Sequence, residues 1–554
     1  MTARRVFILT PLVAALCASL ASCSTTKGTN AVTRETSTSS LLSAAQTARN
    51  RLASDPDNPY ANVLYNHAVA GLVRWYDAIP LDQRESATRA AGLTVEQDAT
   101  NESGLHRFML TSDVPRNLLA HSQGRGGIGV PVVAWRPNDG TGKFDNLRPP
   151  EGIFASMTAV LDRKSTKHGD KWTLRFLWPI QHKTISFANR TEPLAADFSA
   201  PIAVLIQHAE ELRKSGFRGM LNPTTNRVRR EKLYLIQPYD PQKIPLIMVH
   251  GLQSTPVAFA NLVNDLLADP LIRSRYQIWH YHYPTGTPVM WNAMVFRRTV
   301  DHTLRMIDPE GNDYATNHLF VIGHSMGGVL THTLVSDSGY KLWDSVVKVR
   351  PDKLHAPAIS QQTLEDLFLF RHDPRVKRVI FISVPHRGSA IADNWIGDFG
   401  QSLYRADPKL NETLGPLLEN HRDVIDPFLL NLAQAGKISS IRTLSGKSPS
   451  LMALSTIPPQ VPFHSIIGQK KDGPKEEGSD GVVPYTSSHL DGAESELIVK
   501  HGHGSFRSDA AVDEIRRILR LHIGVKSPYD PWEGLLPPAA PDLSNQQVSE
   551  SAHR

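Results

Sequence analysis

The chain has 554 residues, about three to four average domains' worth, with 40% apolar and 21% charged residues, 36 Gly and 39 Pro. That composition excludes a collagen-like fibre, a coiled-coil rod and a wholly disordered chain, and it leaves room for one large core and one smaller one. The net charge of +6 is spread over 60 basic and 54 acidic residues with no concentrated basic stripe, so no nucleic-acid partner is expected. Cys17 and Cys23 are the only cysteines, so no disulfide framework can hold the rest of the chain.

Arg4 and Arg5 precede an apolar run from Val6 to Leu20, interrupted by Pro11 and too short to span a bilayer as a helix. The run ends in Leu20-Ala21-Ser22-Cys23, which resembles the lipobox of bacterial lipoprotein signal peptides; a plain secretory signal with an incidental Cys is the other reading. The resemblance implies that residues 1–22 are removed as a signal peptide. Cys23 then becomes the acylated first residue and the membrane anchor, each buried methylene contributing about 0.8 kcal/mol. Ser24, rather than Asp, follows the Cys. By that family's sorting rule this implies the outer membrane, so the expected location is the bacterial cell envelope. Residues 23–41 are rich in Ser and Thr and read as a flexible tether.

From Leu41 to Trp75, Ala and Leu recur at helical spacing, broken at Ser54-Asp55-Pro56-Asp57-Asn58-Pro59, which predicts two helices and a turn. Short segments rich in Val, Ile, Phe and Trp follow, at Ile128–Trp135, Ile153–Leu161, Trp172–Trp178 and Thr184–Phe187, separated by Gly, Pro and Asn. They favour strands. Residues 42–240 are therefore expected to form an N-terminal α+β region, with no chemistry that its motifs identify.

From Lys243 the rhythm becomes strand, turn, helix. Apolar strands are expected at Pro245–Val249, Tyr276–Tyr283, His318–Ile322, Val379–Ser383, Phe463–Ile467 and Glu496–Val499. Helical patterns lie between them at Pro256–Leu267, Trp291–Met306, Met326–Ser336 and, last, Asp509–Leu521. The fold class expected is α/β: a mostly parallel sheet over residues 241–525 with helices on both faces. Helical segments from about 391 to 462 interrupt the alternation and fit a cap. Residues 526–554 form a Pro-rich, polar tail.

Gly323-His324-Ser325-Met326-Gly327 follows one such strand and opens a helix. This is the strand–turn–helix context that a nucleophile elbow requires, and Ser325 is the candidate nucleophile. An oxyanion hole needs two backbone N–H donors. Met326 supplies one, and Leu252, in Val249-His250-Gly251-Leu252 after an earlier strand, is the candidate for the other. Asp480, in Ser479-Asp480-Gly481-Val482-Val483-Pro484, is the candidate acid, with Asp472 its rival on the same loop. Two histidines, His501 and His503, compete for the general base, and spacing alone does not separate them. His250 and His324, beside these turns, are candidate substrate-contacting residues, as are Pro385 and His386 at a strand end; a tight turn is the bland alternative for the last two. His280 and His282 alternate on one strand without partners at ligand spacing, so no metal site is expected.

Together with Pro385-His386-Arg387-Gly388-Ser389 and Gly502-His503, these segments resemble an α/β-hydrolase of the bacterial triacylglycerol lipase and esterase kind. The resemblance implies the α/β-hydrolase fold and a Ser325–Asp480–His503 triad, because the family's base commonly follows a Gly after the last strand. It further implies hydrolysis of carboxylic esters through an acyl-enzyme, without cofactor. Two alternatives remain at this stage: acyl transfer to an acceptor other than water, and a binding lipoprotein that keeps the fold without turnover. An ester or lipid substrate is the expected partner, with the membrane reached through Cys23 and no protein partner inferable. Met290, Trp291 and Trp395, in Pro288–Phe296 and the 391–462 insert, suit either a lid over acyl chains or simple core.

Overall fold

The computed structural model describes residues 37–98, 104–167, 169–218, 231–354, 356–389, 415, 421–434 and 440–527. The expected signal peptide, Cys23, most of the tether, nearly half of the 391–462 cap including Trp395, and nearly all of the 526–554 tail lie outside these residues. Among the described residues no helix is long and apolar enough to cross a membrane.

The N-terminal helices are α1 (Thr38–Ser54) and α2 (Pro59–Ala78). Asn58 ends the turn between them, its side chain accepting the Ala61 N–H at 2.9 Å, and Pro59 takes the first helical position, where its missing N–H costs nothing. Ala45, Ala48 and Leu52 of α1 and Ala61, Tyr65, Ala68, Val69, Leu72 and Val73 of α2 are buried at helical spacing. A short α3 (Arg84–Ala90) leads into a five-stranded sheet: β1 (Leu93–Gln97), β2 (Arg107–Leu110), β3 (Val130–Arg136), β4 (Ile153–Thr166) and β5 (Gly169–Leu177). Its order is β1-β5-β4-β3-β2, with only the β1–β5 pair parallel. Phe108 of β2 stacks on Phe176 of β5 at 3.9 Å. A flat sheet would hold strands three steps apart at about 14 Å, so this sheet is strongly curled. Together with α1 and α2 it encloses a core of its own.

After α4 (Ala200–Arg218) comes a seven-stranded sheet: β6 (Lys232–Leu235), β7 (Ile244–Val249), β8 (Tyr276–His282), β9 (Leu319–His324), β10 (Val376–Ile382), β11 (Phe463–Gly468) and β12 (Ser495–Val499). The order is β6-β8-β7-β9-β10-β11-β12. Every pair is parallel except β6 with β8. Strand residues alternate between two cores. Ile247, Val249, Val321, Val379 and Phe381 point into one, and Leu246, Met248, Phe320, Ile322, Ile380 and Ile382 into the other. The first is covered by α7 (Val289–Ile307), α8 (Met326–Leu334), α9 (Lys341–Val346), α10 (Ala358–Phe368) and α12 (Pro449–Leu454), which follows α11 (Pro427–Gln434). The second is covered by α5 (Ala260–Ala268), α6 (Pro270–Arg275) and α13 (Asp509–His522). Burial on both faces is why these strands read as unbroken apolar runs.

Three features go beyond the sequence expectation. The large sheet begins before residue 241, because Lys232–Leu235 pairs antiparallel along β8 as an edge strand. Met290 and Trp291, for which lid and core were both open, lie in the core that α7 shares with α8 and β8. The N-terminal region is also joined to the sheet: buried Arg148 donates to the Leu235 carbonyl at 3.1 Å and to that of Gln237, and Ser199 Oγ donates to Asn264 of α5 at 2.6 Å.

Candidate active site

Parallel strands end together, and the loops leaving their carboxyl ends form a crevice where ligands of such sheets bind. Three residues with left-handed φ lie in this region, each following a strand of the parallel sheet: Gln253 (54°) after β7, Ser325 (54°) after β9 and Ser383 (48°) after β10. None is glycine, and conformations of this kind cost of order 1–3 kcal/mol each.

Ser325 occupies the sharp turn from β9 into α8, and the turn closes only because its neighbours lack side chains. A Cβ on Gly323 would sit 2.6 Å from the Gly328 Cα, one on Gly327 2.3 Å from the Val249 carbonyl oxygen, and one on Gly328 2.0 Å from a Val384 methyl. The turn thus presses against β7 on one side and the end of β10 on the other. The loop after β7 runs directly over the serine, so that a Cβ on Gly251 would lie 2.8 Å from the Ser325 Cβ and 3.3 Å from its Oγ. Met326 is the first residue of α8. Its N–H belongs to the helix's unpaired first turn, where the partial positive charge favours an anion.

The structure brings Ser325, His503 and Asp480 into one hydrogen-bonded row. Ser325 Oγ lies 2.8 Å from His503 Nε2, and His503 Nδ1 lies 2.7 Å from Asp480 Oδ2. The other carboxylate oxygen accepts the Val482 and Val483 N–H groups, both at 2.7 Å. Asp480 is only 1% exposed. Burial pushes its carboxyl pKa up, but the His503 hydrogen bond and charge and the two backbone amides outweigh that, and the net shift is down. Asp480 therefore stays ionised and can accept from Nδ1–H, which leaves Nε2 to accept the serine proton. His501 takes a different course, its Nδ1 lying 3.1 Å from the Gly502 carbonyl. Asp472 is exposed and pairs with Lys500 at 2.7 Å.

The histidines expected to contact substrate are buried. His324 points its Nε2 at the His503 carbonyl, 2.8 Å away, and packs edge-on to Phe506. Burial, then the nearby His503, pushes its pKa down to about 3, so the ring is neutral and donates to that carbonyl. His250 stacks on Tyr283 at 4.4 Å, and its own carbonyl accepts from the Tyr283 hydroxyl at 2.7 Å. Burial lowers its pKa to about 3 as well. The ring of His386 lies between His332 and Phe381, with its Nδ1 3.2 Å from His332 Nδ1. Pro385 begins the turn that carries His386 and accepts the Gly388 N–H at 3.0 Å. Sequence patterns gave no signal for Ser383, which is fully buried and places its Oγ 2.9 Å from Ser505 Oγ. Among the described residues, no group of three or more His, Cys, Asp or Glu is arranged to hold a metal ion.

No family model matches this chain, and no curated protein does. Solved structures similar to it include a Bacillus licheniformis lipase, BlEst2, in its propeptide form (13% identity, TM-score 0.30, covering 52% of each chain). They also include a lipase of Staphylococcus hyicus (13%, TM-score 0.30, 51% of this chain and 97% of that one) and EstA of Clostridium botulinum (16%, TM-score 0.30, 52% and 88%). The chain spans about half the length of the first of these. Likenesses this weak carry no chemistry across; the side-chain geometry has to do so.

Proposed function

We propose that residues 232–525 form an α/β-hydrolase that cleaves carboxylic esters by nucleophilic catalysis, with Ser325 as nucleophile, His503 as general base and acid, and Asp480 as the carboxylate that orients the histidine. The observation that carries this reading is the unbroken row from Asp480 Oδ2 through both ring nitrogens of His503 to Ser325 Oγ, at 2.7 and 2.8 Å, ending on a strained serine at a helix N-terminus.

In the first step His503 Nε2 takes the Ser325 proton as Oγ attacks the ester carbonyl. The carbonyl π pair moves to oxygen, and the Met326 and Leu252 N–H groups are the donors for the resulting oxyanion. Collapse breaks the ester C–O bond; the leaving alkoxide takes the proton from His503 and departs as the alcohol. Water then gives its proton to Nε2 and attacks the acyl-serine. The second collapse returns the proton to Ser325 Oγ and releases the carboxylic acid. Ionised Asp480 keeps the proton of Nδ1 directed at itself and stabilises the imidazolium that forms twice in the cycle. Water is the only co-reactant the sequence of steps requires. Attachment to a bacterial membrane through Cys23 is part of the same reading, and it would keep the site near lipid esters.

The test is turnover. Residues 24–554 expressed as a soluble protein should hydrolyse members of a chain-length series of p-nitrophenyl esters, and Ser325→Ala should fall to the uncatalysed background. Equal rates for the two proteins would remove the hydrolase reading. Labelled palmitate retained by Cys23→Ala in a bacterial host would remove the lipid anchor.

A further inference from the structure

The segment after β10, Ser383-Val384-Pro385-His386-Arg387-Gly388-Ser389, carries chemistry-bearing residues that the catalytic row leaves unused. His386 packs against His332 and Phe381 and Ser383 reaches Ser505, while the Arg387 and Ser389 side chains turn to the chain from Val482 to His489, which continues the loop holding Asp480. Six hydrogen bonds join the two segments. The His386 N–H donates to the Ser487 carbonyl at 3.1 Å, and the Arg387 N–H to Ser487 Oγ at 3.2 Å. Ser487 Oγ donates in turn to the Gly388 carbonyl at 2.6 Å. Arg387 Nη1 donates to the Thr486 carbonyl at 3.0 Å and the His489 carbonyl at 2.6 Å. Ser389 Oγ donates to the Val482 carbonyl at 2.5 Å.

The last bond lies two residues from Asp480. The Val482 carbonyl that Ser389 holds shares its peptide unit with the Val483 N–H, which is 2.7 Å from Asp480 Oδ1. Ser389 therefore fixes the peptide that helps fix the carboxylate. A single guanidinium nitrogen, Arg387 Nη1, gathers both carbonyls at the far end of the loop. Gly388 lets the segment pass: its φ is 78°, and a Cβ there would lie 2.6 Å from the Ser445 carbonyl oxygen. At the other end Ser383 reaches Ser505, two residues after His503. One turn thus touches the loops of both the acid and the base.

We propose that Arg387 and Ser389 are positioning residues that act through Asp480: they hold the 480–489 loop so that the carboxylate meets His503 Nδ1. This rests on the hydrolase reading above. It replaces, for this turn, a role in contacting substrate.

A double-mutant cycle distinguishes the two roles, because residues that act through one group are not additive while independent ones are. In full-length mature protein, Arg387→Ala should lower kcat on a p-nitrophenyl ester by at least about tenfold with KM within about twofold. The loss should stay below that of Asp480→Ala, for which about 10⁴-fold is the scale when a triad carboxylate is lost. In the Asp480→Ala background, Arg387→Ala should cost less than about twofold more. Ser389→Ala, a one-atom change that keeps the fold if Arg387→Ala does not, should behave the same way, and Ser389→Thr, which keeps the hydroxyl, should restore most of kcat. Additive losses in the double mutant, or a loss confined to KM, would overturn the proposal while leaving the hydrolase reading intact. A wild type that turns over no ester and takes no fluorophosphonate at Ser325 would remove both.

Discussion

Replacing Asp480 by Asn tests how the row of hydrogen bonds works, because the surroundings dictate which way the amide faces. In the native site Oδ1 accepts two backbone N–H groups at 2.7 Å and Oδ2 accepts from His503 Nδ1 at 2.7 Å. A carboxamide has one accepting oxygen and one donating NH₂. With the oxygen toward Val482 and Val483, both amides stay paired; with the NH₂ there, donors face donors at a position 1% exposed. Each buried donor left unpaired costs about 1–3 kcal/mol, so the first orientation is favoured by about 2–6 kcal/mol. It turns the NH₂ toward Nδ1, which must then be bare, and the ring proton moves to Nε2, where it meets Ser325 with a proton to give and none to accept. The expected loss in kcat is about 10⁴-fold, or about 5.4 kcal/mol of transition-state stabilisation. KM should hold within a few-fold, and the melting temperature should change little because the shape is conserved. Steady-state kinetics on a p-nitrophenyl ester together with a thermal melt reads both. A kcat within tenfold of wild type would refute the assigned roles of Asp480 and His503.

Other perturbations follow from the same geometry. His503→Ala should abolish ester turnover while His501→Ala keeps it within a few-fold, since His501 meets the Gly502 carbonyl rather than Ser325; the opposite pattern in a rate assay would reassign the base. Gly251→Ala introduces a methyl 2.8 Å from the Ser325 Cβ, against an ordinary contact of about 3.5–4.0 Å, so loop or serine must shift by about 1 Å. A shift of that size costs about 100-fold in kcat/KM, with a near-normal melt, and full activity would contradict the tight approach. Burial holds His250 and His324 down at about 3 and His332 at about 4. Their folded values lie below the unfolded value of about 6.5, so the unfolded chain binds more protons between these limits. Stability is therefore full above pH 6.5 and falls as pH drops toward 3, each histidine adding up to about 1.4 kcal/mol per pH unit. Urea midpoints should decline from pH 7 to pH 4, less steeply in His332→Gln; identical slopes for the two proteins would contradict this.

The parts of the molecule that the sequence revealed are those where burial leaves no choice of residue. Strands covered on both faces, such as Ile244–Val249 and Leu319–His324, must be apolar throughout, and they stand out within a residue or two of their observed ends. The Ser325 turn stood out because its glycines are required by backbone and methyl contacts at 2.0–2.6 Å. The helical hairpin was legible from the Asn58-Pro59 start of its second helix. Edge strands were not. Leu93–Gln97, Arg107–Leu110 and Lys232–Leu235 are paired on one side and, at four or five residues, too short to show a period. The helix Ala200–Arg218 also went unread. Direction was the other missing quantity. The sequence placed Pro385-His386-Arg387-Gly388-Ser389 at a strand end, suited equally to a tight turn or to pocket lining, and it could not say that His386 faces His332 and Arg387 faces the carbonyls of Thr486 and His489. Likewise Met290 and Trp291 suit a lid or a core equally well by residue type, and only the helix phase of Val289–Ile307 decides for core.

The central claim is that Ser325 is a nucleophile made reactive by its neighbours, and a fluorophosphonate tests it most directly because the reagent reports the activated oxygen whatever the natural ester is. Protein comprising residues 24–554, treated with the reagent and mapped by peptide mass spectrometry, should carry one adduct, on the peptide containing Ser325. Ser325→Ala should carry none, and Asp480→Asn should label far more slowly than wild type. No adduct on wild type, or an adduct that persists unchanged in Ser325→Ala, would contradict the account.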